Sequence, residues 1–219
     1  CHLGDPPLDR DVGAVLAAAR ACGVTRLLVP AVDERSSRRA IDLAARHDGV
    51  LAAVGWHPAF LPDGGVDLAF LEAMVATGRV CAIGEVGLDR IKAREGFVVQ
   101  EAAFAAQLAF AATHALPVVI HCRNAFARAV ELIEATGRPS LRGVFHAFAG
   151  SWEIAERLGH LGFLFGVGGS ITRTEATRLR SVVSRIPLDH LVLETDAPYI
   201  GTATTTRGTV TPAHLPEVL

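Results

Sequence analysis

A chain of 219 residues that is 50% hydrophobic and 20% charged carries enough apolar material for a sizeable core, which excludes intrinsic disorder. A formal net charge of −2 excludes a broad basic face for wrapping duplex nucleic acid, while leaving room for a local cationic site that handles a few phosphates. Cys1, Cys22, Cys81 and Cys122 stand far apart with no C-x-x-C, so neither a zinc knuckle nor a redox pair is indicated, and reduced thiols in a cytoplasmic protein are expected.

In chain order, LDRDVGAVLAAARACG has helical spacing of its apolar residues and is followed by a strand-length run at 24–32, VTRLLVPAV. SSRRAIDLAARH is the next helix, then a strand at 50–58, a helix in VDLAFLEAMVATG and a strand at 80–88. QEAAFAAQLAFAATHA, a strand at 117–122, AFARAVELIEATG, a strand at 143–148 and SWEIAERLGHLG continue the pattern. It closes with a strand at 163–169, the helix EATRLRSVVSRI and a strand at 190–197. Apolar runs fall short of the roughly 18 residues of a membrane-spanning helix, and the start CHLGDPPLDR lacks the layout of a secretory signal.

Strands buried on both faces and separated by helices predict an α/β fold with a parallel sheet. Seven strands plus one before residue 1 predict an eight-stranded TIM barrel occupying residues 1–219 as one domain. A doubly wound open sheet is the alternative, but no G-x-G-x-x-G follows the first strand and no G-x-x-x-x-G-K-[ST] occurs anywhere.

Polar residues recur at one point of this alternation. His57 ends LAAVGWH, Glu85 ends VCAIGE, His121 ends PVVIH, His146 ends GVFH and Asp196 ends LVLETD. In a parallel barrel those strand ends converge on one mouth, where the chemistry of such folds resides. Three imidazoles and two carboxylates there suit divalent ions, with one carboxylate able to bridge two of them, and such a pair serves phosphoryl transfer. His2 joins if its strand lies just upstream. Each residue also has a plainer reading: a histidine as a hydrogen-bonded rim residue, Asp196 as a turn or cap residue, Arg123 in a surface ion pair. Glu85 is harder to dismiss, since a carboxylate flanked by apolar strand is costly unless paired. Cys122 alternates away from His121 and reads as packing, and Trp56 reads as core rather than as a base-stacking surface.

The blocks CHL (1–3), GWHP (55–58), IGEVGLD (83–89), LPVVIHCR (116–123), HAFAGS (146–151) and ETDAPY (194–199) resemble the TatD family of metal-dependent deoxyribonucleases in order and spacing. GVGGSITR (166–173) resembles the YjjV-like subgroup. The resemblance implies a TIM barrel of the metallo-dependent hydrolase (amidohydrolase) type, with a first strand and first metal histidine before Cys1 and a last helix after Leu219. It implies two divalent ions, magnesium, manganese or zinc. His2 and Asp196 would serve one, His121 and His146 the other, and Glu85 would bridge them. Asp196 would also be the general base, and Arg123 and His57 would face the scissile phosphate. The implied substrate is a DNA 3′ end, digested 3′ to 5′, with no membrane and no obligate protein partner. Val210 and Thr211 stand where the family has Asn, and Arg90 where an aromatic is common.

Three functions are consistent with these residues. They are a metal-dependent nuclease, a hydrolase of a small ester, lactone or amide on the same metals, and a barrel without metal competence that acts as a binding module.

Overall fold

A computed structural model describes residues 1–92 and 96–219. The apolar runs form β1 (Leu27–Pro30), β2 (Val50–Val54), β3 (Val80–Asp89), β4 (Val118–Arg123), β5 (Gly143–Phe145), β6 (Phe163–Val167) and β7 (Leu191–Leu193). The amphipathic runs form α1 (Val12–Ala21), α2 (Glu34–Arg46), α3 (Leu68–Val75), α4 (Phe97–Thr113), α5 (Phe126–Ala135), α6 (Trp152–His160) and α7 (Thr177–Val183). Most of the strands are shorter than their runs because the chain leaves the ladder at the mouth while still buried, as at Trp56 and His57 after β2. The first three helices start promptly because short acceptor side chains cap them. Asp11, Asp33 and Asp67 accept the N–H groups of Ala14, Ser36 and Phe70.

The strands are all parallel and lie in the order β1-β2-β3-β4-β5-β6-β7. A doubly wound sheet would carry its first strand inside the order, so the open-sheet alternative is excluded. The Cys1 amine donates to the Leu28 carbonyl of β1 at 3.1 Å, and the His2 N–H donates to the Ala197 carbonyl past β7 at 2.7 Å. Residues 1 and 2 therefore bridge the two outer strands, and the sheet curls on itself as a TIM barrel. The C-terminal stretch Pro212–Val218 is a 3₁₀ segment packed on α1.

Alternation along the strands separates two apolar layers. Val54, Ile83, Val118, Ile120, Phe145 and Phe165 face the helices and pack with Phe104, Leu108 and Phe148. Ala53, Ala82 and Val119 point the other way and fill the barrel interior with small side chains.

The feature of the sheet that matters most for the site is in β3. Gly84 pairs with Val119 and Val86 with Ile120, so Glu85 between them has no partner on β4 and is the bulged residue. A bulge re-aims a side chain, and this one turns a carboxylate that is 4% exposed toward the mouth.

Candidate metal centre

Five side chains, from four other strand ends and the N-terminus, gather around Glu85 at the end of β3. Its Oε1 lies 2.8 Å from His146 Nε2, 3.1 Å from His121 Nδ1 and 3.7 Å from His57 Nε2. Its Oε2 faces the other way, 3.9 Å from His2 Nε2, which is itself 3.4 Å from Asp196 Oδ1. One carboxylate thus serves two groups of donors, His121 with His146 on one side and His2 with Asp196 on the other. Asp196 sits in a turn and still reaches the cluster. Its carbonyl accepts the Tyr199 N–H in a turn at 2.8 Å, while its carboxylate reaches His2.

The outer nitrogens of the imidazoles decide what the inner ones can do. His121 directs Nε2 at Asp89 Oδ2, 3.1 Å away, and Asp89 is held by the N–H groups of Ile91 and Lys92. His146 turns Nδ1 toward Glu194 at 3.6 Å, and Glu194 also accepts the Ala147 N–H at 2.6 Å. Each ring therefore has a carboxylate behind its outer nitrogen and turns its inner nitrogen to Glu85, so a cation that displaces the inner proton would meet the arrangement of metal-binding histidines. His57 is the reverse. Its Nδ1 accepts the Ala59 N–H at 3.0 Å, so the proton of the neutral ring sits on Nε2. A nitrogen of His57 lies within 4.8 Å of donors on Glu85 and His121, close enough for a shared ion. Its tautomer makes it a donor instead.

Charge follows the same geometry. Burial pushes Glu85 up, but the His146 charge and the His121 and His146 hydrogen bonds outweigh it and hold the carboxyl well below its usual range. Burial lowers His146, yet Glu85 and Glu194 raise it well above the ordinary value, and Asp89 and Glu85 raise His121 against burial in the same way. For Asp196, burial is outweighed by the His2 hydrogen bond and the carboxyl stays low. His57 is lowered to about 4, chiefly by burial, and is neutral near pH 7. A pocket that converges four carboxylates on imidazoles demands positive charge, supplied by protons on His121 and His146 or by divalent cations with which those protons compete. The donor set therefore fits hard-to-borderline divalent cations.

Arg123 stands on the rim at the end of β4, exposed and without an acidic partner among the described residues. Trp56 is 4% exposed against Phe70, a core residue. Burial pushes the Cys122 thiol up to about 12, which suits packing and not nucleophilic attack. Asp89 and Glu194 were not singled out from the sequence, although a signal for each was present. Asp89 follows Glu85 by four and Glu194 precedes Asp196 by two, even spacings that in a regular strand put residues on one face, although the β3 bulge and the end of β7 at Leu193 break that regularity here.

The family profile described as TatD related DNase matches residues 1–219. The chain belongs to the TatD family. It is 34% identical over 200 residues to the uncharacterized metal-dependent hydrolase YabD of Bacillus subtilis, covering 91% of this chain and 78% of that protein. To the uncharacterized metal-dependent hydrolase YjjV of Escherichia coli it is 36% identical over 201 residues, 90% of this chain and 77% of that one. A Klebsiella pneumoniae relative named 3′-5′ ssDNA/RNA exonuclease TatD is 36% identical over 204 residues, 91% and 76%. The crystal structure of the Escherichia coli YjjV protein superposes with a TM-score of 0.92 at 33% identity, covering 100% of this chain and 85% of that one. The chain is thus a member of a metal-dependent hydrolase family with a TIM-barrel fold. Among its described residues no helix is long and apolar enough to cross a membrane.

Proposed function

We propose that this TatD-family hydrolase is a two-metal phosphodiesterase that removes nucleotides from single-stranded DNA 3′ ends. The observation that carries the reading is the split use of Glu85, one oxygen toward His121 and His146 and the other toward His2 and Asp196. We assign His2, Glu85 and Asp196 to one ion and His121, His146 and Glu85 to the other. Magnesium, manganese and zinc all suit this set. When bound, the ions supply positive charge that eases ionisation of a water and offsets the charge of the phosphate.

The chain's own residues do the rest. Asp196, kept ionised by His2, takes the proton of the attacking water. Asp89 and Glu194 hold the His121 and His146 rings in position from behind. His57 donates a hydrogen bond from its Nε2–H to a phosphate oxygen, and Arg123 from the rim offers a forked contact to the same phosphate. The four cysteines are free thiols, which suits the reducing cytoplasm we assign to the enzyme.

The test incubates metal-loaded protein with 5′-labelled single-stranded DNA and, in parallel, with chromogenic phosphodiesters, esters and lactones. Stepwise shortening from the 3′ end is expected. Rapid turnover of a carboxylic ester or lactone with intact DNA would favour the small-molecule reading, and failure to bind metal would favour a binding module. His57 has its own test, because a donor and a ligand fail differently. His57→Phe is expected to retain the full metal content by elemental analysis and lose roughly 10- to 100-fold in turnover, the value of one hydrogen bond to a charged group. Loss of an ion from that variant would make His57 a ligand.

A further inference from the structure

We propose that Phe60 and Tyr199 are stacking platforms for the two bases that flank the scissile phosphate, so that the site selects unpaired strand ends. This deepens the nuclease reading above and rests on it. Phe60, three residues after His57, is 54% exposed, and Tyr199, three residues after Asp196, is 40% exposed. Single exposed aromatics are ordinary on a surface. These two each touch an imidazole of the cluster: Tyr199 and His2 form a T-shaped pair with centroids 5.1 Å apart, and Phe60 packs against His57 at 5.7 Å. His57 and His121 rings are 4.3 Å apart. The contacts therefore run Tyr199, His2, Glu85, His121, His57, Phe60, with an exposed ring at each end and the proposed metal-bridging carboxylate in the middle.

Tyr199 is also fixed in place. Its hydroxyl donates to Asp5 Oδ2 at 2.6 Å, and the Arg207 guanidinium lies over its ring at 5.5 Å. Trp56, the other aromatic of the GWHPAF stretch, is buried, so Phe60 is the ring that this loop leaves to a ligand. The charge is complementary to a polynucleotide backbone. Arg35, Arg123 and Arg207 follow or end β1, β4 and β7 on the mouth side, and none has a carboxylate partner among the described residues. Two rings spaced about a phosphodiester site with free guanidiniums nearby match a single strand, whose bases have open faces. A paired base cannot reach either ring without leaving its duplex.

The experiment measures binding as well as cleavage. Fluorescence anisotropy reports the affinity of the metal-loaded enzyme for a short oligothymidylate with a nuclease-resistant 3′ phosphorothioate linkage, and for the same oligomer with an abasic residue at the terminal or penultimate position. Phe60→Ala and Tyr199→Ala are each expected to weaken the normal oligomer by about five- to a hundredfold, the usual value of one base–aromatic stack. Each variant should lose its effect on one of the two abasic oligomers, and Phe60→Trp should restore tight binding. Equal weakening of normal and abasic oligomers, or none at all, overturns the stacking role while leaving the nuclease reading intact. A wild-type enzyme that neither binds nor shortens single-stranded DNA overturns both.

Discussion

Glu85→Gln is expected to keep the fold and lose about 10³-fold or more in hydrolysis, since it removes the one charge shared by both donor groups, a contribution of roughly 4 kcal/mol to the transition state. Gln matches the shape of Glu, so a loss of this size reports charge and not packing. The metal-free proteins should also differ in their response to pH. Glu85 lies low and His146 and His121 lie high relative to their ordinary values of 4.5 and 6.5, because each stabilises the charged form of the other. For the imidazoles, a raised folded-state pKa means stability that is fully present below 6.5 and is lost as pH rises through the higher folded value. For Glu85, a depressed folded pKa means stability present above 4.5 and lost on stronger acidification. The advantage of metal-free wild type over Glu85→Gln should therefore be greatest between those two values and shrink as pH rises beyond 6.5. Thermal denaturation across pH measures it. Protons on the same imidazoles compete with cations, so wild-type metal affinity by calorimetry should keep rising above pH 6.5, where an ordinary histidine is already neutral. Full activity in Glu85→Gln would leave the two-ion reading without its central residue.

Gly87→Ala is the largest structural effect expected. Gly87 pairs with His121 across β3 and β4, at a φ of +143° that side chains rarely adopt. A Cβ there would sit 1.9 Å from the His121 carbonyl oxygen and 2.9 Å from its carbonyl carbon, and both are backbone atoms that cannot step aside cheaply. The strands must separate or the pairing must slip, at a cost of roughly 3 kcal/mol or more, which for a chain of this size lowers Tm by about 6–12 °C. His121 would move with β4, so metal affinity should fall in the folded variant as well. Gly23→Ala is the control. Gly23 has a comparable positive φ of +83° but no atom within 4 Å of the added carbon, so only the backbone term of about 1 kcal/mol applies. Similar melting temperatures for the two variants would show that the β3–β4 approach is looser than the geometry requires.

Much of the molecule was legible in advance because the relevant signals are local. Among the described residues, seven strands and seven α-helices appear where periods of two and of three to four residues changed, since burial of one face or stripe imposes those periods whatever the partner. The gathering of Glu85, His121, His146, Asp196, His57 and His2 was readable from their shared strand-end address, because parallel strands in a barrel deliver their C-terminal ends to one mouth. Ring orientation was not readable in this way. That His121 and His146 have carboxylates behind their outer nitrogens while His57 has a backbone N–H behind its own depends on Asp89, Glu194 and the Ala59 N–H, groups brought there by other strands and loops.

The sequence by itself determined the order of elements, their periodicity and the identities of the polar side chains at the strand ends. Tertiary structure decided the rest: the closure of the sheet through residues 1 and 2, the bulge that leaves Glu85 unpaired, and the division of its two oxygens between two sets of donors. The reason is one of range. Periodicity is set within a few residues by burial of a face, whereas a bulge, a tautomer and a bridging carboxylate are each set by what a neighbouring strand holds against them.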